Sequence, residues 1–302
     1  MRLPKYLAVP LLAALLVTGC TSTSKVASPP PRSPSASPSA VASSSPAFAR
    51  LEHRYKARLG VYAIDTGTGR TVTYRADERF AFASTAKALT AGLLLRRDTD
   101  AQLNHVITYK SSDLQDYAPV TSKHVRTGMS LRAVIAAALQ YSDNTAANLM
   151  LAQLGGPHAV QTDLRGLGDS MTQVDRTEPT LNTAVPGDTR DTTTPRAIAT
   201  DLRDFTLGND LTAARRQVLT GLMRGNTTGG PYIRAGVPSG WTVGDKTGNG
   251  DYGTRNDIAV VWPAGGGAPI VIALLSDRGK PNASSDDALL ADATKATITA
   301  LT

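Results

Sequence analysis

The sequence predicts a mixed α/β fold of the α+β kind. One antiparallel sheet is formed by both ends of the folded region, with flanking helices and an inserted all-helical lobe. Three observations predict it. Strand-like runs with a period of two occur near the start of the folded region and again near its end. Between them, apolar residues recur at helical spacing. Glycines and prolines punctuate the boundaries.

The first hairpin is expected over residues 59–74, where GVYAID and TVTY flank the turn Thr66-Gly67-Thr68-Gly69. A helix begins near Ser84 and runs through KALTAGLLLRR. Ser130 suits the N-cap of LRAVIAAALQ, which stops just before Tyr141 and Ser142. NTAANLMLAQL is the next helix, closed by Gly155-Gly156. Pro157 and Pro195 each open a further helix, because a proline in the first turn sacrifices no hydrogen bond. Another helix covers residues 213–223. WTVGDKTG, NDIAVVWPA and APIVIALLSD then read as three strands, with Gly265-Gly266-Gly267 as a tight turn. A last helix runs from about 286 to 301. The α/β lobe is placed at about 49–80 and 225–302, and the helical lobe at about 81–224. Ser84 and Lys246 then meet where the lobes face each other, a usual place for a cleft.

The chain upstream has a different character. Residues 1–20 carry Arg2 and Lys5, then an apolar stretch from Leu7 to Val17, the pattern of a secretory signal. It ends Val17-Thr18-Gly19-Cys20, which resembles the bacterial lipobox, so Cys20 is the expected lipidation site. Residues 21–48 are mostly Ser, Pro, Ala and Thr, a composition that buries too little surface to fold. A flexible tether of that length spans roughly 30 Å. Residues 49–302 suffice for one domain with a proper core.

Composition excludes several functions. The 302 residues carry a net charge of +7, but the basic residues are scattered, with no run longer than a pair. That is a solvated surface and not a nucleic-acid footprint. Cys20 is the only cysteine, so no internal disulfide can form. The four histidines lie in no metal-binding spacing, so no metal and no cofactor are expected. Nothing in the pattern demands an obligate interface, and a monomer is expected.

Three short motifs carry the chemistry. Ser84-Thr85-Ala86-Lys87 puts a serine and a lysine on one face of a helical turn, where the amine can ease removal of the hydroxyl proton. Ser142-Asp143-Asn144 follows between two helices, and Lys246-Thr247-Gly248 lies on a late strand. Each is weak alone, since a capping serine, a polar turn or a surface lysine explains it. In this order they resemble the motif set of class A serine β-lactamases and penicillin-binding proteins.

The resemblance implies roles across nearly all of residues 49–302. Ser84 is the implied nucleophile that opens a β-lactam ring, and Lys87 assists its deprotonation. Ser142 relays a proton to the leaving nitrogen. Asn144 holds Lys87 and the substrate amide, while Asp143 ties down its loop. Lys246 and Thr247 take the substrate carboxylate beside Gly248, and the N–H groups of Ser84 and Asn249 form the oxyanion hole. Arg255 stands where many members carry a carboxylate-binding arginine. Tyr117 matches an aromatic wall of the cleft.

Arg176-Thr177-Glu178-Pro179-Thr180-Leu181-Asn182 resembles the Ω-loop of class A enzymes. There Glu178 activates the deacylating water, Asn182 positions it, and Arg176 pairs with Asp191 across the neck. This segment favours a hydrolase over a D,D-peptidase or a sensor that acylates once. The implied activity is hydrolysis of penicillins and cephalosporins by an exported enzyme, anchored by lipid or secreted. One departure is Asn249, at a place more often filled by a small residue.

Overall fold

The computed structural model describes residues 45–302. The signal segment, Cys20 and most of the Ser/Pro stretch lie outside the described residues. In chain order the first elements are α1 (Ser45–Tyr55), β1 (Arg58–Asp65), β2 (Thr71–Tyr74), β3 (Phe80–Ala81) and α2 (Ala86–Arg97). Next come α3 (Asp100–Asn104), β4 (Val106–Ile107), β5 (Met129–Ser130), α4 (Leu131–Gln140), α5 (Asn144–Leu154) and α6 (Pro157–Gly166). The chain closes with β6 (Thr192–Thr193), α7 (Pro195–Thr206), α8 (Ala213–Arg224), α9 (Ile233–Gly236), β7 (Thr242–Asn249), β8 (Arg255–Trp262), β9 (Ile270–Asp277) and α10 (Asp287–Leu301).

Five strands form one antiparallel sheet in the order β2-β1-β9-β8-β7. The two ends of the folded region meet at its centre, where β1 pairs with β9 from Arg58↔Asp277 to Asp65↔Ile270. This joins the first hairpin to the last three strands, as the periodicity implies. Short pairs β3·β6 and β4·β5 are additional, and two-residue strands leave no readable period in the sequence.

Both faces of the sheet are buried, and the pleat sorts its side chains between two cores. Val61, Ala259, Val261, Ile272 and Leu274 join α1 and α10 on one face. Tyr62, Ile258, Val260, Val271 and Ala273 join the large helical core on the other. This explains why β8 and β9 read as nearly unbroken apolar runs. Helix α7 falls inside the span assigned to the helical lobe, yet it packs directly on β1, β8 and β9. At Gly60 a Cβ would sit 2.7 Å from Pro195 Cγ and 2.5 Å from Phe80 Cε2, so only glycine admits the close approach.

The helix caps follow the sequence. Ser130 Oγ accepts from Ala133 N–H, Asp143 caps α5, and Gly155 closes α5 at φ +98°. One boundary needs correction. The tether does not extend to residue 48, because α1 starts at Ser45 and Phe48 is completely buried between the sheet and α10. A Ser/Pro/Ala composition hides this helix, and Phe48 and Tyr55 anchor it.

Phe48→Ala should destabilise the fold by about 3–5 kcal/mol, read by equilibrium urea denaturation. A chain beginning at residue 49 should likewise melt below one beginning at residue 45.

Candidate active site

Ser84 lies in a single 3-10 turn, Ala83–Thr85, that runs directly into α2. The preceding Ala83 is left-handed, φ +47°, a conformation that costs an alanine about 1–3 kcal/mol. Its neighbours hold it there. Phe82 N–H donates to Asp191 O at 3.1 Å, and Thr85 Oγ1 donates to Phe82 O at 2.6 Å. Asn256 Nδ2 on β8 reaches Ala81 O and Phe82 O at 2.8 and 3.1 Å. Strand β7 presses against the same turn. A Cβ on Gly248 would come within 2.9 Å of Phe82 O and 3.1 Å of Thr85 N, so the glycine of Lys246-Thr247-Gly248 is what lets strand and turn meet.

Lys87, in the first turn of α2, is 4% exposed. Its Nζ donates to Asn144 Oδ1 at 2.7 Å and Ser142 O at 2.8 Å, and pairs with Glu178 Oε1 at 2.9 Å. These three short contacts match the three donors of an ammonium, and a longer one reaches Ser142 Oγ at 3.4 Å. Among the described residues no hydrogen bond joins Lys87 to Ser84. The Ser84 hydroxyl instead donates to Glu178 Oε1 at 3.3 Å. Serine and lysine thus meet at one carboxylate oxygen, an arrangement that their spacing alone does not reveal.

Glu178 is held from every side. Asn182 Nδ2 donates to its Oε2. Asn148 clamps its backbone, accepting from Glu178 N–H at 2.8 Å and donating to Glu178 O at 2.9 Å. Sequence reasoning missed Asn148. It lies four residues after Asn144 on α5, hence on the same helical face, and that spacing is the signal that could have found it.

The neck of the loop is closed by Arg176 and Asp191. Arg176 Nε donates to Asp191 Oδ2, and the N–H groups of Asp175 and Arg176 donate to Asp191 Oδ1 at 2.9 and 3.0 Å. Asp191 is completely buried, while the Arg176 side chain is 19% exposed.

Ser142 joins α4 to α5 in a left-handed conformation, φ +57°. Asp143 secures it from below by accepting from Val120 N–H, Thr121 N–H and Ala146 N–H at 2.9–3.0 Å. Ser142 Oγ consequently lies between two ammonium groups, 3.0 Å from Lys246 Nζ and 3.4 Å from Lys87 Nζ. Tyr117 fastens the same loop through its backbone, since its carbonyl accepts Asn144 N–H at 2.8 Å, while its side chain is half exposed. Thr247 Oγ1 sits 2.6 Å from Thr228 Oγ1.

Arg255 is not a loose surface arginine. It contacts Tyr232 OH at 2.9 Å, Asn249 Oδ1, Ser285 Oγ and the Asp287 carboxylate at 3.1 Å. Its partners come from three separate segments, which explains why the sequence did not reveal them.

Burial shapes the electrostatics. It pushes the Lys87 ammonium below its ordinary value, against the pull of Glu178. It pushes Lys246 down to about 7, helped by the positive charge of Lys87. Beneath Lys246, burial raises Asp245, whereas Arg234 and Asn226 act to lower it. Asp257 is raised further, by burial and then by Asp245.

A serine hydroxyl, a buried lysine–glutamate pair, a second serine and a strand-borne lysine thus converge on one site. A model described as the beta-lactamase enzyme family matches residues 44–301. The chain belongs to that family. A β-lactamase of Bacillus amyloliquefaciens is 55% identical over 248 residues, 82% of this chain and 81% of that one. One from Amycolatopsis lactamdurans is 55% identical over 254 residues, 84% of each chain. The solved class A β-lactamase of Clostridium kluyveri is 48% identical, with a TM-score of 0.83 over 85% of this chain and 97% of that one. These similarities place the chain in class A, and the matched span includes α1.

Arg176→Ala strands the buried Asp191 carboxylate at the neck of the class A Ω-loop. It should cost about 3–5 kcal/mol, measured by chemical denaturation.

Proposed function

We propose that this chain hydrolyses β-lactam antibiotics through an acyl-enzyme on Ser84 and so confers resistance to them. The observation that carries the reading is the single oxygen Glu178 Oε1, within reach of both the Ser84 hydroxyl and the Lys87 ammonium. Ser84 Oγ attacks the lactam carbonyl carbon, and its proton passes to the Glu178–Lys87 pair. The C–N bond of the ring breaks, and Ser142 delivers a proton to the departing nitrogen. Its position between Lys87 and Lys246 suits that relay. The N–H groups of Ser84 and Asn249 receive the negative oxygen, each donor of this kind being worth about 2.7–4 kcal/mol.

Lys246 and Thr247 hold the substrate carboxylate, with Arg255 beside them. A carboxylate adds negative charge beside a desolvated ammonium that already faces the positive charge of Lys87. Tyr117 and Asn144 contact the substrate side chain. Glu178, braced by Asn182 and Asn148, then removes a proton from the water that cleaves the Ser84 ester. A D,D-peptidase requires no such carboxylate, so its fixed position supports the hydrolase.

Glu178→Ala should still acylate with a chromogenic cephalosporin but stall as a long-lived adduct, seen as a stoichiometric burst and an added mass on Ser84. Ser84→Ala should give neither burst nor turnover. Rapid multiple turnover by Glu178→Ala would contradict the role.

The chain is further proposed to act outside the cell as a monomer, on an N-terminal tether lipidated at Cys20. Mass spectrometry of the mature protein should find a diacylglyceryl group on Cys20. An unmodified terminus elsewhere removes the anchor.

A further inference from the structure

A second pair of buried acids lies away from the cleft, at the root of the Ω-loop. Asp169 follows α6 and Asp201 lies on α7, 6% and 8% exposed. Both line a cavity of about 240 Å³. Asp169 Oδ1 accepts the N–H groups of Met171 and Thr172 at 2.7 and 3.0 Å. Its Oδ2, and Oδ2 of Asp201, are enclosed and have no partner among the described residues. An enclosed polar oxygen without a partner is rare in a native structure and requires a physical account.

Neighbouring charges do not provide one. On α7, Arg196 forks onto Asp77 at 2.7 and 2.9 Å, and Arg203 pairs with Asp204. From α6, the guanidinium of Arg165 is engaged by the backbone oxygens of Asp169 and Thr172. Asp204 and Asp210 add only negative charge. Two carboxylates in one desolvated site repel, and one proton between them satisfies both unpartnered oxygens.

We propose that Asp201 is a positioning residue for the loop that carries Glu178, holding Asp169 through one proton shared between their Oδ2 atoms. The connection is short. Asp169 braces the turn at residues 169–172, and Thr172 Oγ1 meets Thr193 Oγ1 at 2.7 Å. Gln173 N–H donates to Thr192 O at 2.8 Å, and the Arg176–Asp191 neck follows immediately. Burial, and after it the charge of Asp169, pushes the Asp201 carboxyl up to about 9, so the pair keeps its proton at neutral pH. The catalytic part of the inference rests on the reading of Glu178 given above.

The pH dependence has a definite sign. Unfolded, an aspartate loses its proton near 3.8. Between there and about 9 the folded chain holds a proton that the unfolded chain has released. Stability from the pair is therefore complete below the lower value, falls as pH rises through the window, and levels off above it. Asp201→Asn keeps a donor to Asp169 and cannot titrate. Using it as the reference removes the contributions of Asp245 and Asp257, which both proteins share.

The experiment is thermal melting of the wild-type chain and Asp201→Asn across the window of about pH 5 to 10, with infrared spectra at neutral pH. The melting gap should shift steadily in favour of Asp201→Asn up to about pH 9 and then flatten. The wild-type minus variant difference spectrum should contain a carboxylic-acid carbonyl band, the signals of Asp245 and Asp257 cancelling. Asp201→Ala should lower the deacylation rate severalfold with acylation little changed, and Asp201→Asn should restore it. A pH-independent gap or an unchanged infrared spectrum overturns the proposal whatever the activity. Fast turnover by Glu178→Ala overturns instead the deacylation reading and leaves the shared proton standing.

Discussion

The buried pair of Lys87 and Glu178 is the constraint on which the rest of this structure depends. Each ion is almost fully removed from water, which is costly unless its remaining hydrogen-bonding capacity is filled. Here it is filled from four directions: α5 through Asn144, the Ser142 carbonyl, Asn182 in the Ω-loop, and the Ser84 hydroxyl. No one element could supply these partners. The pair therefore sits where α2, α5 and the loop converge, and the surrounding fold holds those three together.

Backbone strain marks the same place. Ala83 and Ser142 both adopt left-handed conformations that favour glycine; Ala83 precedes Ser84, and Ser142 carries its own hydroxyl into the cleft. Both are held through a buried acid. Asp191 fixes the Ω-loop neck through its side chain while its carbonyl accepts Phe82 N–H, and Asp143 gathers the N–H groups around Ser142. Asp191 thus ties the loop neck, through its carboxylate, to the Ser84 turn, through its carbonyl. Preorganisation of this kind means that little rearrangement is left for the reaction itself.

The sheet contributes rigidity and charge. With both faces covered, β7 is a fixed rail, and its register sets Lys246, Thr247 and Gly248 against the serine turn. The charge of Lys246 is pushed down by burial and by Lys87, while Asp245 and Asp257 pull the other way. The Asp169–Asp201 pair repeats the theme at the root of the loop, with a proton in place of a lysine.

The sequence alone was enough for much of this. Hydrophobic period, caps and glycines placed the first hairpin, the major helices and the last three strands. Three ordered motifs and the Arg176–Asp191 segment pointed to the family. These features were legible because each depends on neighbours within a few positions. Helix α1 was not legible, because its stability comes from Phe48 entering a core shared with Tyr74 on β2 and with the distant helix α10. Nor were Asn148 at the back of Glu178, the partners of Arg255, or the Ser84–Glu178 contact that replaces a direct serine–lysine bond. Those were decided only when distant segments packed together, since a buried polar group takes whichever partner the tertiary structure brings within reach.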